Sequence, residues 1–188
     1  MNEIEAGTLQ AEIAVVISNK QGIPALEHAE RHGLHAVFLD PKSVAGMPDP
    51  RQAYDQILLE TLQHRQVQLV VLAGYMKIVT SVLIDAYESK IMNIHPSLLP
   101  NFPGLYAQQQ ALDHGVKVTG CTVHFVTEGM DTGPIILQRA VPVEEGDTAD
   151  ILSDRILKEE HGALPRAIQL FAEGRLRVEG RVVHICHS

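Results

Sequence analysis

Short apolar runs rich in β-branched residues alternate with helical segments along this chain of 188 residues. Residues 12–18 (Glu-Ile-Ala-Val-Val-Ile-Ser) and 69–73 (Leu-Val-Val-Leu-Ala) have the composition of strands that are buried on both faces. Between them, residues 51–66 carry apolar side chains at helical spacing. This alternation predicts a single α/β domain over residues 1–188, with a mostly parallel twisted sheet in three layers and helices on both faces.

The pattern assigns most of the chain to individual elements. The predicted strands are Glu12–Ser18, His35–Leu39, Leu69–Ala73, Lys90–His95, Thr119–Val126 and Ile135–Val141, with a final hairpin or strand pair in Arg175–Ile185. The predicted helices are Ala25–His32, Arg51–Gln66, Thr80–Ser89, Tyr106–His114 and Thr148–Phe171. The three prolines and the glycine in Asp40–Pro50 predict a loop.

Composition argues against several classes of protein. A formal net charge of −8 argues against nonspecific nucleic-acid binding, and the absence of an 18-residue apolar run predicts no membrane span. The N-terminal residues lack the features of a signal peptide, and two cysteines make no disulfide framework, so we expect a cytoplasmic protein. His184 and His187 have weak metal-ligand spacing without a second ligand pair, so we expect no metal site.

Two polar side chains stand at the end of one predicted strand. Residues 93–103 read Asn-Ile-His-Pro-Ser-Leu-Leu-Pro-Asn-Phe-Pro. In a strand with a period of two, Asn93 and His95 lie on the same face. Pro96 ends the pairing because it has no N–H to donate. Open α/β sheets place their ligand sites at such strand ends.

A carboxylate follows a second alternating strand. Residues 121–134 read Cys-Thr-Val-His-Phe-Val-Thr-Glu-Gly-Met-Asp-Thr-Gly-Pro, and Asp131 lies between two glycines. A histidine alone near a strand end is more often a structural residue than a catalyst. With Asn93 and Asp131 close to it, however, His95 would belong to a proton-transfer group.

These segments together resemble the folate-dependent formyltransferase family that includes the glycinamide ribonucleotide (GAR) transformylases. The family pattern is Asn-x-His-Pro-Ser-Leu-Leu-Pro, then Pro-Gly-Leu, Thr-Val-His-Phe-Val, Asp-x-Gly-Pro and Ile-Leu-Gln. The matching segments here are Asn93–Pro100, Pro103–Leu105, Thr122–Val126, Asp131–Pro134 and Ile136–Gln138. The order and spacing fit, and the resemblance covers residues from about 11 to about 178.

The resemblance implies a reaction. An amine of GAR would attack the formyl carbon of 10-formyltetrahydrofolate, without a metal or a covalent enzyme intermediate. Asn93 and a protonated His95 would donate hydrogen bonds to the oxyanion of the tetrahedral intermediate. Asp131 would favour the charged form of His95 and could orient a water for proton transfer.

The resemblance also implies residues for both substrates. The expected folate contacts are Arg51, Met76, Lys77, Ile78, Val79, Gly129 and Met130. Pro96 and Glu160 are expected at the GAR site, where Glu160 matches a glutamate that binds the ribose hydroxyls. Thr122 and His124 share a strand face and are expected to hold the catalytic side chains in position without contacting the substrate. Lys77 stands where the family usually has arginine, so the charge is kept and the planar fork is lost.

One part of the family pattern is not matched. The family begins with a strand, a Ser-Gly-x-Gly-Ser-Asn loop that holds the GAR phosphate, and a helix. Here residues 12–18 match the second family strand, and Met1–Gly7 resembles the end of the first helix. We therefore expect an interrupted sheet in a domain that is N-terminally incomplete relative to the family. Its exposed strand edges would favour association, including homodimers.

Three functions remain open at this stage. The first is GAR formyltransferase, and the second is a 10-formyltetrahydrofolate hydrolase in which water replaces the amine. The third is a non-catalytic homologue that still binds folate. The segment Asp131-Thr132-Gly133 also resembles an aspartic-protease motif, but such proteases are all-β and need two carboxylates of this kind.

Overall fold

A computed structural model describes residues 1–186 and shows an α/β domain. The helices are α1 (Asn2–Glu5), α2 (Pro24–Arg31), α3 (Pro50–His64), α4 (Ser81–Ala86), α5 (Ala107–Asp113) and α6 (Ala149–Ala172), with a 3-10 helix at Pro41–Val44. The strands are β1 (Val16–Ser18), β2 (Ala36–Phe38), β3 (Val70–Leu72), β4 (Ile91–His95), β5 (Val118–Phe125), β6 (Ile135–Pro142), β7 (Leu176–Glu179) and β8 (Val182–Ile185). The predicted alternation of strands and helices is confirmed.

Helices cover both faces of the sheet, as predicted. On one face, α3 and α4 pack with β3 and Ile91 in a cluster that also takes in Val15 and Ile17. On the other face, α5 and α6 pack against Met92, Val123 and Phe125. Within the described residues, no helix is long and apolar enough to cross a bilayer.

The sheet is mixed rather than mostly parallel. β3 pairs with β4 and β6 with β8 in parallel, whereas the β4–β5, β5–β6 and β7–β8 pairs are antiparallel. The predicted helix between β4 and β5 led us to expect that these two strands would run parallel. That helix, α5, has only seven residues and so is about 10 Å long. Segment 96–117 stays at the His95 end of β4, and β5 returns antiparallel with Thr122 opposite His95.

The sheet is also interrupted, as the sequence led us to expect. β1 and β2 form a separate parallel pair, and β3 to β8 form a six-stranded sheet in the order β3-β4-β5-β6-β8-β7. The expected burial of 12–18 and 69–73 on both faces is wrong: β1 is only partly buried, and Val71 is 37% exposed. In β3, Val70 packs against α3 and α4, whereas Val71 points to the opposite face and belongs to neither core cluster.

The free edges of β1 and β3 predict a measurable difference in backbone protection. The amides of Val16 and Val70 donate to the carbonyls of His35 and Lys90, which directly precede β2 and β4. The amides of Ile17 and Val71 therefore point away from the paired strand. We expect both amides to exchange at least about 100-fold faster than that of Val123, which lies in a strand paired on both sides. Residue-resolved hydrogen exchange measures this. Equal protection at all three amides would show that β1 and β3 are paired on both sides.

Candidate active site

Two rows of side chains cross the sheet where β4 ends. Asn93 lies opposite His124, and His95 lies opposite Thr122, in the antiparallel β4–β5 register. Thr122 in turn lies opposite Gln138 on β6. Directly opposed residues share a sheet face, so this register gathers polar side chains on one patch. The prediction that Asn93 and His95 share one face of their strand is confirmed. Thr122 and His124 likewise share one face of β5.

His95 is buried, with 5% of its surface exposed, and both of its ring nitrogens have partners. Its Nε2 lies 2.8 Å from the carbonyl oxygen of Phe102, so Nε2 carries a hydrogen and donates it. Its Nδ1 lies 3.4 Å from Asp131 Oδ2. Protonation of His95 therefore adds a hydrogen on the nitrogen that faces the carboxylate, and the contact becomes an ion pair.

Asp131 is held at the tip of a tightly folded loop between β5 and β6. Its backbone is in the left-handed region with φ of 52°, which aspartate tolerates better than most residues. A Cβ at Gly133 would lie 1.7 Å from the Phe125 carbonyl oxygen, so only glycine fits there. The Gly104 amide donates to Asp131 Oδ2 at 2.8 Å. The same carboxylate oxygen thus faces both His95 and the loop that follows β4.

His124 orients the Asn93 amide. Its Nδ1 donates to the Phe125 carbonyl at 2.8 Å, which leaves Nε2 as the acceptor for Asn93 Nδ2 at 3.3 Å. Burial lowers the pKa of His124, although the Phe125 carbonyl and Asp131 oppose that shift. A neutral His124 therefore fixes one Asn93 N–H and leaves the other for a ligand. Asp131 Oδ1 lies 3.7 Å from His124 Nε2.

A hydrogen-bond network supports the segment between His95 and Phe102. The Thr122 hydroxyl donates to the Ser97 carbonyl at 2.7 Å and accepts from the Leu99 amide at 3.0 Å. Gln138 Nε2 donates to the Leu99 carbonyl at 2.9 Å and to Thr122 Oγ1 at 3.0 Å. The sequence pointed to Thr122 but assigned no role to Ser97, Phe102, Gly104 or Gln138. Ser97, Gly104 and Gln138 lie within the matched family segments, but the partners of their backbone and side-chain groups cannot be read from those motifs.

Most of the expected folate residues lie around a separate cavity of about 370 Å³. Its lining includes Arg51, Met76, Lys77 and Ile78, together with Pro41, Pro50, Tyr54, Asp55 and Tyr75. Asp55 is 3% exposed and accepts from the Thr80 amide at 2.6 Å and hydroxyl at 2.8 Å, which ties α3 to the loop after β3. Lys77 Nζ lies 4.9 Å from the centre of the Tyr54 ring, a favourable cation–π distance.

The remaining predicted residues fall in four places. Gly129 and Met130 lie beside Asp131, and Met130 is 57% exposed. Val79 is 5% exposed in the core and does not line the cavity, because it precedes the first turn of α4. Pro96 follows β4 directly, whereas Glu160 lies on α6. Burial raises the pKa of Glu160, and the charges of His161 and His95 oppose that shift.

The arrangement can stabilise an oxyanion and transfer protons. Asn93 has one N–H that no described residue binds, and His95 and Asp131 form a pair that can exchange a proton. Asn93 and His95 lie at the end of β4, and Asp131 lies in the loop between β5 and β6. Among the described residues, no group of three His, Cys, Asp or Glu side chains is arranged to hold a metal; His187 lies outside these residues. The fold is therefore Rossmann-like, and the site carries groups that are suited to acid–base chemistry.

Comparison with known proteins identifies the family. The Formyl transferase profile matches residues 1–168. The chain is 43% identical to phosphoribosylglycinamide formyltransferase of Bacillus subtilis over 159 residues, which are 85% of this chain and 80% of that one. Glycinamide ribonucleotide transformylase 1 of Symbiobacterium toebii has the same fold, with a TM-score of 0.95 and 54% identity over 99% of this chain and 86% of that one. The chain belongs to the formyl transferase family.

Two further relatives bear on what the family membership implies. The trifunctional purine biosynthetic protein adenosine-3 of Gallus gallus is 45% identical over 99% of this chain, but the chain spans only 18% of its length. A formyltetrahydrofolate deformylase of Pseudomonas syringae is 32% identical, with a TM-score of 0.86 over 99% of this chain and 60% of that one. The fold is thus shared by transferases and a deformylase.

Because His124 is buried and neutral, we expect the free energy of unfolding to fall as the pH becomes acidic. Its folded-state pKa lies below the ordinary value of 6.5, so the unfolded chain binds the proton more tightly. The contribution of neutral His124 to the free energy of unfolding is fully present above pH 6.5. It is lost as the pH falls from 6.5 towards the lowered pKa of His124. Replacing His124 with glutamine should flatten the unfolding free energy in that window, by up to about 1.4 kcal/mol per pH unit.

Urea unfolding of both proteins at pH 7.5, 6.5 and 5.5 measures this effect. His64→Gln is the matched control, because His64 is exposed at the end of α3. The control should keep the pH dependence of the wild type. If His124→Gln keeps it as well, His124 is not the buried neutral group described above.

Proposed function

We propose that this protein transfers a formyl group from 10-formyltetrahydrofolate to the amine of glycinamide ribonucleotide, a step of purine biosynthesis. The observation that carries the proposal is the 3.4 Å contact between His95 Nδ1 and Asp131 Oδ2, beside the Asn93 amide, in a member of the formyl transferase family. This set of groups suits the formyl transfer named in bacterial relatives.

The groups divide the reaction between them. The amine of the substrate attacks the formyl carbon, and the carbonyl oxygen becomes an oxyanion that the free N–H of Asn93 can bind. The attacking nitrogen loses a proton, and N10 of the folate gains one as its bond to the formyl carbon breaks. The His95–Asp131 pair can take up and return that proton, so the overall transfer is balanced.

His95 can also donate to the oxyanion, but only by exchanging a contact. Its Nε2 hydrogen is bound to the Phe102 carbonyl and its Nδ1 faces Asp131. A formyl oxygen that displaces the Phe102 carbonyl would find the donor already oriented. Substrate binding would then be coupled to a movement of segment 96–104.

The two substrates would approach from different sides of this group. Arg51 and Lys77 carry positive charge at the 370 Å³ cavity, which suits the acidic tail of the folate. The loop at residues 76–79 would border the pterin ring, and Gly129 and the exposed Met130 would make further folate contacts. Pro96 and Glu160 are proposed for GAR, with the Glu160 carboxylate accepting from the ribose hydroxyls.

Hydrolysis of 10-formyltetrahydrofolate is the second candidate, because a deformylase shares the fold. It is less favoured, since identity is 54% to a transformylase and 32% to the deformylase. An assay of the purified protein with 10-formyltetrahydrofolate, with and without GAR, separates the two. We expect tetrahydrofolate and formylated GAR to form together and only when GAR is present. Formate release at an equal rate without GAR would mean hydrolysis.

The proposal predicts a large kinetic effect at His95. His95→Ala removes the proton carrier and the oriented donor, so formyl transfer should fall at least about 100-fold. His64→Ala removes an exposed histidine from α3 and serves as the control, which should keep the rate of the wild type. Circular dichroism checks that both variants fold. Turnover of folded His95→Ala close to wild type would remove His95 from the mechanism.

Asp131 should affect turnover more than folate binding. Asp131→Asn keeps the shape of the side chain and an acceptor for the Gly104 amide, but it cannot accept a proton or hold a charged imidazole. We expect kcat to fall at least about 100-fold with little change in folate affinity measured by fluorescence. Equal losses in kcat and in affinity would mark Asp131 as a binding residue instead.

A further inference from the structure

We propose that Gln138 is a positioning residue for His95, acting through Thr122 and the segment that connects His95 to Phe102. Gln138 does not contact His95, from which it is separated by a whole strand. Its effect would pass through hydrogen bonds that fix where the Phe102 carbonyl lies. The kinetic part of this inference rests on the proposed formyl transfer, whereas its structural part does not.

The network leaves segment 96–102 little freedom. Gln138 Nε2 uses both of its hydrogens, one on the Leu99 carbonyl and one on Thr122 Oγ1. Thr122 Oγ1 then donates to the Ser97 carbonyl and accepts from the Leu99 amide. Ser97 is fully buried, and its amide donates to the His95 carbonyl at 2.9 Å. Gln138 thus completes a set of bonds that begins at the backbone of His95.

The same segment ends on the other side of the imidazole. Three residues beyond Leu99, the Phe102 carbonyl accepts from His95 Nε2 at 2.8 Å. That bond decides which ring nitrogen carries the hydrogen and leaves Nδ1 facing Asp131. If Leu99 loses its partner on Gln138, Phe102 can shift, and the orientation of the ring is no longer fixed.

Packing does not explain Gln138. The residue is exposed, so its replacement by leucine would open no cavity in the core. What the replacement removes is two hydrogen-bond donors aimed at Leu99 and Thr122. A carboxylate of the same shape, in Gln138→Glu, would remove the donors as well and place acceptors against acceptors.

Nuclear magnetic resonance of ¹⁵N-labelled histidine side chains reads the His95 tautomer directly, and the His95→Gln spectrum identifies its signals. In the wild type, Nε2 should be the nitrogen that carries the hydrogen. In Gln138→Leu and Gln138→Glu we expect the two nitrogens of His95 to move towards an averaged signal. We also expect kcat to fall about 10- to 100-fold, with the KM values for both substrates little changed.

Gln56→Leu is the matched control, because Gln56 is an exposed glutamine on α3 whose amide donates to Glu60 and to no other described residue. Its His95 signals and kcat should equal those of the wild type. Should Gln138→Leu fail to fold, Thr122→Val removes the same network from its other side and should shift the same signals. Unchanged His95 signals in folded Gln138→Leu would overturn the inference, even if formyl transfer itself is established.

Discussion

The antiparallel register between β4 and β5 is the constraint on which the site depends. It places Asn93 opposite His124 and His95 opposite Thr122. The other face of the same strands carries Met92, Val123 and Phe125, which are buried against α6. A slip of one residue would exchange the two faces and put polar side chains into the core. The apolar packing on one side of the sheet therefore fixes the polar geometry on the other.

The loop after β4 and the loop between β5 and β6 supply the remaining contacts of the site. Phe102, Tyr106 and Asp131 all have positive φ, a conformation that costs non-glycine residues about 1–2 kcal/mol each. Such conformations persist where surrounding contacts enforce them, and they concentrate at functional sites. Here the contacts are the Phe102 carbonyl on His95 and the Gly104 amide on Asp131. Asp131 Oδ2 is the carboxylate oxygen that faces His95. The same oxygen links the loop that carries Asp131 to the loop that follows β4.

The sequence predicted those features that local patterns encode. Strand and helix alternation gave the layers, period-two spacing gave the common face of Asn93 and His95, and the glycines beside Asp131 marked a tight loop. The direction of β5 was not encoded locally, because it depends on how segment 96–117 turns back. Asp131 was expected beside His95, and the 3.4 Å contact agrees with that. The second partner of His95 was missed, because it is the backbone carbonyl of Phe102. Gln138 belongs to the matched segment Ile136–Gln138, but its link to His95 depends on a register between three strands that the motif does not reveal. The roles of the individual site residues remain predictions.

The central claim is that His95 and Asp131 act as one proton-transfer unit. A double-mutant cycle with His95→Gln, Asp131→Asn and the double variant tests it most directly, with the single-turnover rate of formyl transfer as the readout. If the two residues act as a unit, the double variant should be about as slow as the slower single variant, because the second change removes nothing further. If the two losses multiply instead, His95 and Asp131 act independently and the claim is wrong.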